Sequence, residues 1–330
     1  PYLESAGVTG RQPGRQATRQ RTRKPPSQRG QVRGRLGNRN RKRNRRHGPI
    51  NALKRSWRKA NWPTRIKMVL IPTVAVVVVV ALVAGLVRFT NWRAQVRAAE
   101  AAQLELTRTY DFNPGNIISD GQFFNGSAMS QAEVQSFLDT QGGSLAAMTF
   151  DTSNESGEGL CADYTGTKGE SAAAIIDQSA RACKVSQKVL LTVMQKEQHL
   201  VTAVDPSDYQ LMAAMGLNCP DTADCDPAYA GFFRQVYGAA KRYRYYLEHE
   251  EQYGYTAHNL NYIQYHPNAA CGGAQVYIEN KATALLYIYT PYQPNIAALA
   301  AGNGTGDSCS SYGNRNFALI YTSWFGSPRS

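Results

Sequence analysis

The chain has 330 residues, of which 42% are hydrophobic and 18% charged, and its formal net charge is +13. The charge is distributed unevenly, because residues 1–67 hold 21 of the 37 Lys and Arg residues and only one acidic residue. That segment therefore carries +20 and the remainder carries −7. This asymmetry excludes a uniformly basic folded domain and assigns the high isoelectric point to a basic tail.

The basic segment, residues 1–67, is rich in Arg, Gln, Gly, Pro and Asn. We expect a disordered cytoplasmic tail, since almost none of its side chains could form a core. Its predicted partner is anionic membrane lipid or an acidic cytoplasmic molecule. Sequence-independent nucleic-acid binding stays open. It is not favoured, because no aromatic residue that could stack on bases lies between Tyr2 and Trp57.

An apolar stretch at residues 68–87 contains 20 residues and no charge. This length matches a hydrocarbon core of roughly 30 Å, so the stretch predicts a transmembrane helix. A buried core helix is the alternative, but such a helix rarely lacks a polar face over this length. The basic residues precede the stretch, with Trp57 and Trp62 as interfacial anchors, which predicts a cytoplasmic N-terminus and a single-pass topology with an extracytoplasmic C-terminal domain. A cleaved signal peptide is not expected, because the preceding region is too long.

The cysteines agree with this topology, because all of them lie beyond the apolar stretch: Cys161, Cys183, Cys219, Cys225, Cys271 and Cys309. An even number in an exported domain predicts disulfides. The order along the chain favours the pairs Cys161–Cys183, Cys219–Cys225 and Cys271–Cys309. A zinc site at Cys219 and Cys225 is the alternative, but their Cys-x5-Cys spacing is unusual for zinc. We expect no metal and no cofactor.

The predicted elements after the apolar stretch are mostly helical. Residues 88–109 read as a helical stalk, and residues 110–330 as one mainly α extracytoplasmic domain. Ser130 followed by Glu133 predicts a capping box, and Ser186 a helix N-cap. Apolar periodicity and turn residues predict helices at residues 131–140, 171–183, 189–201, 211–215, 232–247 and 275–289, and a strand or hairpin arm at 317–325.

Glu197 stands out near the end of the predicted helix 189–201. Its position falls within the apolar arc formed by Leu190, Val193, Met194, Leu200 and Val201 at about 100° per residue. Lys196, Gln195 and His199 are predicted to point elsewhere. A carboxylate among apolar neighbours is desolvated and becomes able to donate a proton near neutral pH. The alternative is a helix-end Glu whose side chain bends out to water.

The segment 171–218 resembles the lysozyme-like lytic transglycosylase superfamily. The shared features are a second helix ending in Gln195-Lys196-Glu197 and the small-x-Gly-Leu turn at Ala214-Met215-Gly216-Leu217. The resemblance implies a lysozyme-like α+β fold in which Glu197 is the catalytic acid and the turn lines a sugar cleft. The superfamily has Ser-Gly after the catalytic Glu, whereas Gln198-His199 follows here.

A second resemblance covers about residues 110–327. Over this range the chain is similar to uncharacterised secreted bacterial surface proteins of the hemagglutinin-like kind. The motifs that carry it are Asn113-Pro114-Gly115, Gln195-Lys196-Glu197-Gln198, Cys219-Pro220-Asp221, Asn268-Ala269-Ala270-Cys271, Tyr289-Thr290-Pro291-Tyr292-Gln293-Pro294-Asn295, Gly306-Asp307-Ser308-Cys309 and Tyr312-Gly313-Asn314-Arg315-Asn316-Phe317. This resemblance implies a surface protein and no particular reaction.

Together these patterns predict a membrane-anchored enzyme that cleaves peptidoglycan glycan strands, as a lytic transglycosylase or a muramidase. A non-catalytic cell-wall-binding or adhesion protein, or an envelope scaffold, is the alternative. A transglycosylase needs Glu197 alone, whereas a hydrolase needs a second carboxylate about 5–9.5 Å away. The candidates for that carboxylate are Asp205, Asp208 and Asp221. The predicted sugar-binding residues, in addition to Glu197, are Tyr209, Gln210, Gly216, Tyr262, Tyr289 and Asn314.

Overall fold

A computed structural model describes residues 48–219 and 225–330 of the chain. It begins with helix α1 (Pro49–Lys59) and helix α2 (Trp62–Tyr110). The helices that follow are α3 (Asp120–Phe123), α4 (Gln131–Gln141), α5 (Ala172–Cys183), α6 (Gln187–Gln198), α7 (Asp208–Met212), α8 (Phe232–Glu248), α9 (Lys281–Tyr289), α10 (Ile296–Ala300) and α11 (Gly313–Phe325). The mainly helical prediction is therefore confirmed.

Two small antiparallel sheets accompany the helices. Strand β1 (Thr149–Phe150) pairs with β2 (Glu170–Ser171). Strand β3 (Asn259–Gln264) pairs with β4 (Gly273–Ile278), with Asn259 opposite Ile278. The predicted helix 275–289 is therefore wrong in its first part, because the chain is a strand up to Ile278. Asn280 then caps α9 by accepting a hydrogen bond from the Thr283 N–H.

The chain divides into two compact units, of which the first ends at Val74 and the second begins at Ala75. Of the predicted tail, residues 1–67, the first 47 lie outside the described residues. The remaining residues, 48–67, differ from the predicted disorder, because α1 and the start of α2 are helical. The helix α2 is long and apolar enough to cross a membrane, by length and composition. It contains the predicted transmembrane segment, residues 68–87, and continues through the predicted stalk.

The stalk is not detached from the domain, because the last turns of α2 pack on it. Val96, Ala99 and Gln103 are buried. The Gln103 side chain accepts a hydrogen bond from the Tyr277 N–H at 2.8 Å and donates to the Tyr277 carbonyl at 3.2 Å. It therefore acts as a further partner of the edge of β4 and ties the helix to the domain.

The core of the domain lies around α5 and α6. The helix α5 packs against α4 and α8, and α6 packs against α11. Ser171 caps α5, and Ser130 with Glu133 forms the predicted capping box of α4. Ser186 occupies the N-cap position of α6, but its side chain makes no capping hydrogen bond. The predicted disulfide pairs, Cys161–Cys183, Cys219–Cys225 and Cys271–Cys309, are all present.

Two further predictions are wrong. The end of the chain forms the helix α11 and not a strand, because Phe317, Ala318 and Tyr321 recur at helical spacing and are buried together. The short helix predicted at 211–215 begins earlier, at Asp208, because Ser207 and Gln210 form a capping box there.

Candidate functional site

Glu197 lies in the last turn of α6. Leu190, Val193 and Met194 of the predicted apolar arc are fully buried on this helix. The predicted end of the helix at Val201 is wrong, because the helix ends at Gln198 and His199 follows with a left-handed φ of +52°. Leu200 and Val201 are also fully buried, but they follow the helix and do not belong to its face. The Glu197 side chain itself remains 26% exposed. The carboxylate therefore lies at the edge of the core, where a substrate could reach it.

The nearest charged group to Glu197 is an ammonium group. Lys196 Nζ lies 2.5 Å from Glu197 Oε1, and the Lys196 side chain is only 7% exposed. Nζ also donates to Thr290 Oγ1 at 3.0 Å and lies 5.4 Å from the centre of the Tyr289 ring. The prediction that Lys196 points away from Glu197 is wrong, because its long side chain follows the end of α9. Glu197 Oε1 is therefore occupied by this ion pair in the described structure.

Gly216 brings the turn after α7 into contact with Glu197. Its φ is +70°, and a Cβ atom at this position would lie 3.3 Å from both Cδ and Oε2 of Glu197. A side chain here would therefore combine backbone strain with crowding of the carboxylate. The predicted role of Gly216 in binding a sugar stays a prediction.

Gln235 stabilises this turn through hydrogen bonds, although it was not among the predicted site residues. Its side chain is fully buried on α8. Oε1 accepts from the backbone N–H groups of Met215 and Leu217 at 3.1 and 3.0 Å. Nε2 donates to the carbonyls of Leu217 and Tyr229, both at 2.9 Å. An amide on the otherwise apolar buried face of α8 was the available signal, because such a group needs partners.

Two tyrosines complete the surroundings of Glu197: Tyr243 is fully buried and Tyr289 is partly buried. The Tyr289 hydroxyl donates to the Met215 carbonyl, and its ring lies 5.2 Å from that of Tyr243. The Tyr243 hydroxyl is buried and has no hydrogen-bond partner among the described residues. Burial raises the pKa of both tyrosines well above the usual value, and the negative charge of Glu197 adds to the shift. Both hydroxyls therefore stay protonated and can act as donors.

Other predicted sugar-binding residues have structural roles or lie apart from these contacts. Gln210 accepts from Ser207 and donates to the Gln198 carbonyl at 2.7 Å, so it ties α7 to the end of α6. Asn314 is buried, and its amide donates to two backbone carbonyls. Tyr209 and Tyr262 are exposed by 54% and 55% and make none of the contacts around Glu197.

The predicted second carboxylates do not join Glu197. Asp205 lies in an exposed loop, and Asp208 is exposed in the first turn of α7. Neither forms a hydrogen bond or ion pair with Glu197 in the described structure. Asp221 lies outside the described residues. Among the described residues there is also no group of His, Cys, Asp and Glu side chains that could hold a metal ion.

A groove of about 620 Å³ lies beside the same helix end. Its lining includes Gln195 and His199 from the α6 side and Asn316, Leu319 and Trp324 from α11. Glu197 is not part of this lining. Gln195 precedes Glu197 by two positions, which is about 200° around a helix, so the groove and the carboxylate occupy different sides of α6. The described lining contains no Asp, Glu, Lys or Arg.

These features define a mainly helical, disulfide-bonded domain that follows an apolar helix able to span a membrane. Residues 116–330 match the family model described as the LasA N-terminal domain, and the chain belongs to this family. The matched region contains Glu197, the turn at Gly216, the groove and all three disulfides. No curated protein and no solved structure gives a significant match. The lysozyme-like resemblance therefore stays a prediction.

Proposed function

We propose that the chain is a membrane-anchored cell-wall protein whose exported domain cleaves the glycan strands of peptidoglycan at Glu197. The apolar helix α2 supports the anchoring, and three disulfides support export, because such bonds persist in oxidising compartments. Membership of the LasA N-terminal domain family is consistent with an exported, cell-wall-related domain.

One observation carries the catalytic part of the proposal. Glu197 is a partly exposed carboxylate that packs directly on the left-handed Gly216. The resemblance assigns these two positions to the acid and to the cleft wall, and they come into contact although 19 positions separate them. Glu197 Oε2 lies on the Gly216 side, whereas Oε1 is held by Lys196. Oε2 is therefore the oxygen that faces the proposed cleft.

A transglycosylase reaction fits this site better than hydrolysis. Glu197 would protonate the glycosidic oxygen between N-acetylmuramic acid and N-acetylglucosamine, and the bond from C1 to that oxygen would break. The 6-hydroxyl of the muramic acid would then attack C1 and return its proton to Glu197, which leaves an anhydro end. Hydrolysis would need a second carboxylate, and the described structure pairs Glu197 with none.

Lys196 sets a steric condition on this mechanism. Its ammonium group lies 2.5 Å from Glu197 Oε1, so that oxygen is occupied unless the contact is broken. Thr290 Oγ1 and the Tyr289 ring provide Lys196 with other partners. A bound sugar that enters between Lys196 and Glu197 would therefore gain access to both carboxyl oxygens.

The test is the release of soluble muropeptides from isolated sacculi by the full chain in detergent. We expect release by the wild type and none by Glu197→Gln, because Gln keeps the shape of the side chain but carries no proton to transfer. Glu251→Gln is the matched control, since Glu251 is exposed and should leave release unchanged. Equal release by the wild type and Glu197→Gln would remove Glu197 from the mechanism.

A second candidate function is glycan binding without cleavage. The uncharged groove beside α11 favours it, because the Trp324 indole and the Asn316 amide suit a neutral sugar that carries acetamido groups. The ion pair of Lys196 and Glu197 also favours it. Retention on sacculi without any release of muropeptides, by both the wild type and Glu197→Gln, would select this function.

A further inference from the structure

Helix α1 has two chemically different faces. Ile50, Leu53 and Trp57 follow the spacing of three and four, so they share an arc of about 60°. These side chains are exposed by 70%, 66% and 42%. The basic residues of the helix lie outside that arc: Lys54, Arg55, Arg58 and Lys59. The helix contains no acidic residue and buries none of its side chains against described residues.

The connection to α2 keeps this helix next to the apolar stretch. Only Ala60 and Asn61 separate the two helices. Arg65 Nε donates to the Trp57 carbonyl at 3.2 Å, and its guanidinium lies 5.8 Å from the centre of the Trp57 ring. Asn61 accepts from the Thr64 N–H at 3.3 Å and so caps the start of α2. The end of α1 is therefore fixed to the first turn of α2, the helix that contains the predicted membrane span.

We propose that α1 is a membrane-surface helix that lies in the headgroup layer of an anionic bilayer. Its apolar arc would enter the acyl boundary, and its basic side chains would contact the lipid phosphates and carboxylates. Anionic lipid is the partner that fits this helix, because α1 carries basic and no acidic side chains and is joined by two residues to the helix predicted to span the membrane. The inference rests on the proposed membrane anchoring and is independent of catalysis at Glu197.

This arrangement differs from simple electrostatic attraction of a basic tail. Attraction between exposed charges fades as added salt shortens the Debye length from about 10 Å at 0.1 M to about 3 Å at 1 M. Burial of an apolar arc does not depend on that screening. The apolar face of α1 should therefore stay inserted at high salt, while contacts made by the basic segment alone are lost.

The experiment uses the full chain reconstituted in vesicles of phosphatidylcholine and phosphatidylglycerol. An environment-sensitive fluorophore is attached to Leu53→Cys on the apolar arc or to Arg55→Cys on the basic face, under conditions that keep the native disulfides. We expect the probe at residue 53 to be quenched by a quencher in the acyl chains, and the probe at 55 by iodide in the water. Iodide quenching should be several-fold weaker at residue 53, at both 0.1 M and 1 M salt.

Three outcomes would overturn the proposal. Equal iodide quenching at the two positions would show that α1 has no inserted face. Protection of residue 53 in native membranes but not in lipid vesicles would assign the face to a protein partner. A chain that fails to float with vesicles in a density gradient would overturn the anchoring and this inference together. The release of muropeptides tests Glu197 separately, so the two failures can be distinguished.

Discussion

The two sides of the α6 end have opposite properties. On one side, Glu197 contacts an ammonium group and a left-handed glycine, and Tyr243 is buried nearby. On the other side, the groove beside α11 is open and its described lining contains no Asp, Glu, Lys or Arg. A carboxyl group at the edge of a core suits the proposed proton transfer, whereas neutral amides and an indole suit recognition of a sugar. We therefore propose that the two sides of this helix end divide cleavage from binding.

The largest expected effect separates the two sides directly. Glu197→Gln should abolish the release of muropeptides, yet it should leave the amount of protein retained on sacculi unchanged. The reason is that the variant loses the transferable proton while the groove keeps all its side chains. Cosedimentation and release assays on the same samples measure both quantities. A parallel loss of retention would mean that the two sides form one site.

Gln235→Leu should destabilise the turn at Gly216 that packs on Glu197. The substitution leaves the N–H groups of Met215 and Leu217 buried without partners, and each such group costs about 1–3 kcal/mol. We expect the free energy of unfolding to fall by about 3 kcal/mol, and release to fall with it because Gly216 is no longer held against Glu197. Denaturant unfolding measures the first effect. Gln178→Leu is the control at an exposed Gln of α5. Wild-type stability in Gln235→Leu would contradict the role of its four hydrogen bonds.

Lys196→Met tests the role of the ion pair. It keeps a long side chain over Tyr289 but removes the ammonium group beside Glu197. Because that group occupies Glu197 Oε1, its removal should open both carboxyl oxygens to a sugar and raise release several-fold. Release from sacculi at one fixed pH measures this effect, with Lys168→Met on the exposed surface as the control. Release equal to that of the wild type would show that Lys196 does not restrict access to Glu197.

Trp324→Ala should have the smallest effect, confined to the groove. We expect retention on sacculi to fall several-fold, because stacking of a sugar on the indole is lost, while the products released at saturating substrate stay the same. Trp324 also packs edge-on against Phe137, so Trp324→Phe serves as the conservative variant. If retention falls equally in both variants and the free energy of unfolding falls as well, the effect is one of packing and not of binding.

Local signals were readable from the sequence. Ser130 with Glu133 predicted the start of α4, because a capping box needs only residues close together in the chain. The even number of cysteines, all beyond the apolar stretch, predicted the disulfides. The helix α11 was misread as a strand, since a short apolar run is ambiguous between the two periods. The hairpin of β3 and β4 was missed for the same reason.

Only part of the candidate site could be predicted from the sequence. Glu197 and Gly216 were selected by motif, but the position of Lys196 depends on Thr290 and Tyr289, which lie more than 90 residues further along the chain. Gln235 likewise depends on a turn that precedes it by about 20 residues. Contacts between distant segments decide the charge next to the carboxylate, and no spacing rule along one helix contains them.

The most direct test of the central claim is the chemistry of the released fragments. Sacculi are digested with the full chain, and the muropeptides are analysed by mass spectrometry for their glycan ends. A single-carboxylate site at Glu197 predicts anhydro-muramic acid ends that are lighter than hydrolysed ends by one water and absent with Glu197→Gln. Reducing ends produced by the wild type would contradict the single-carboxylate mechanism, and no release by the wild type would contradict cleavage itself.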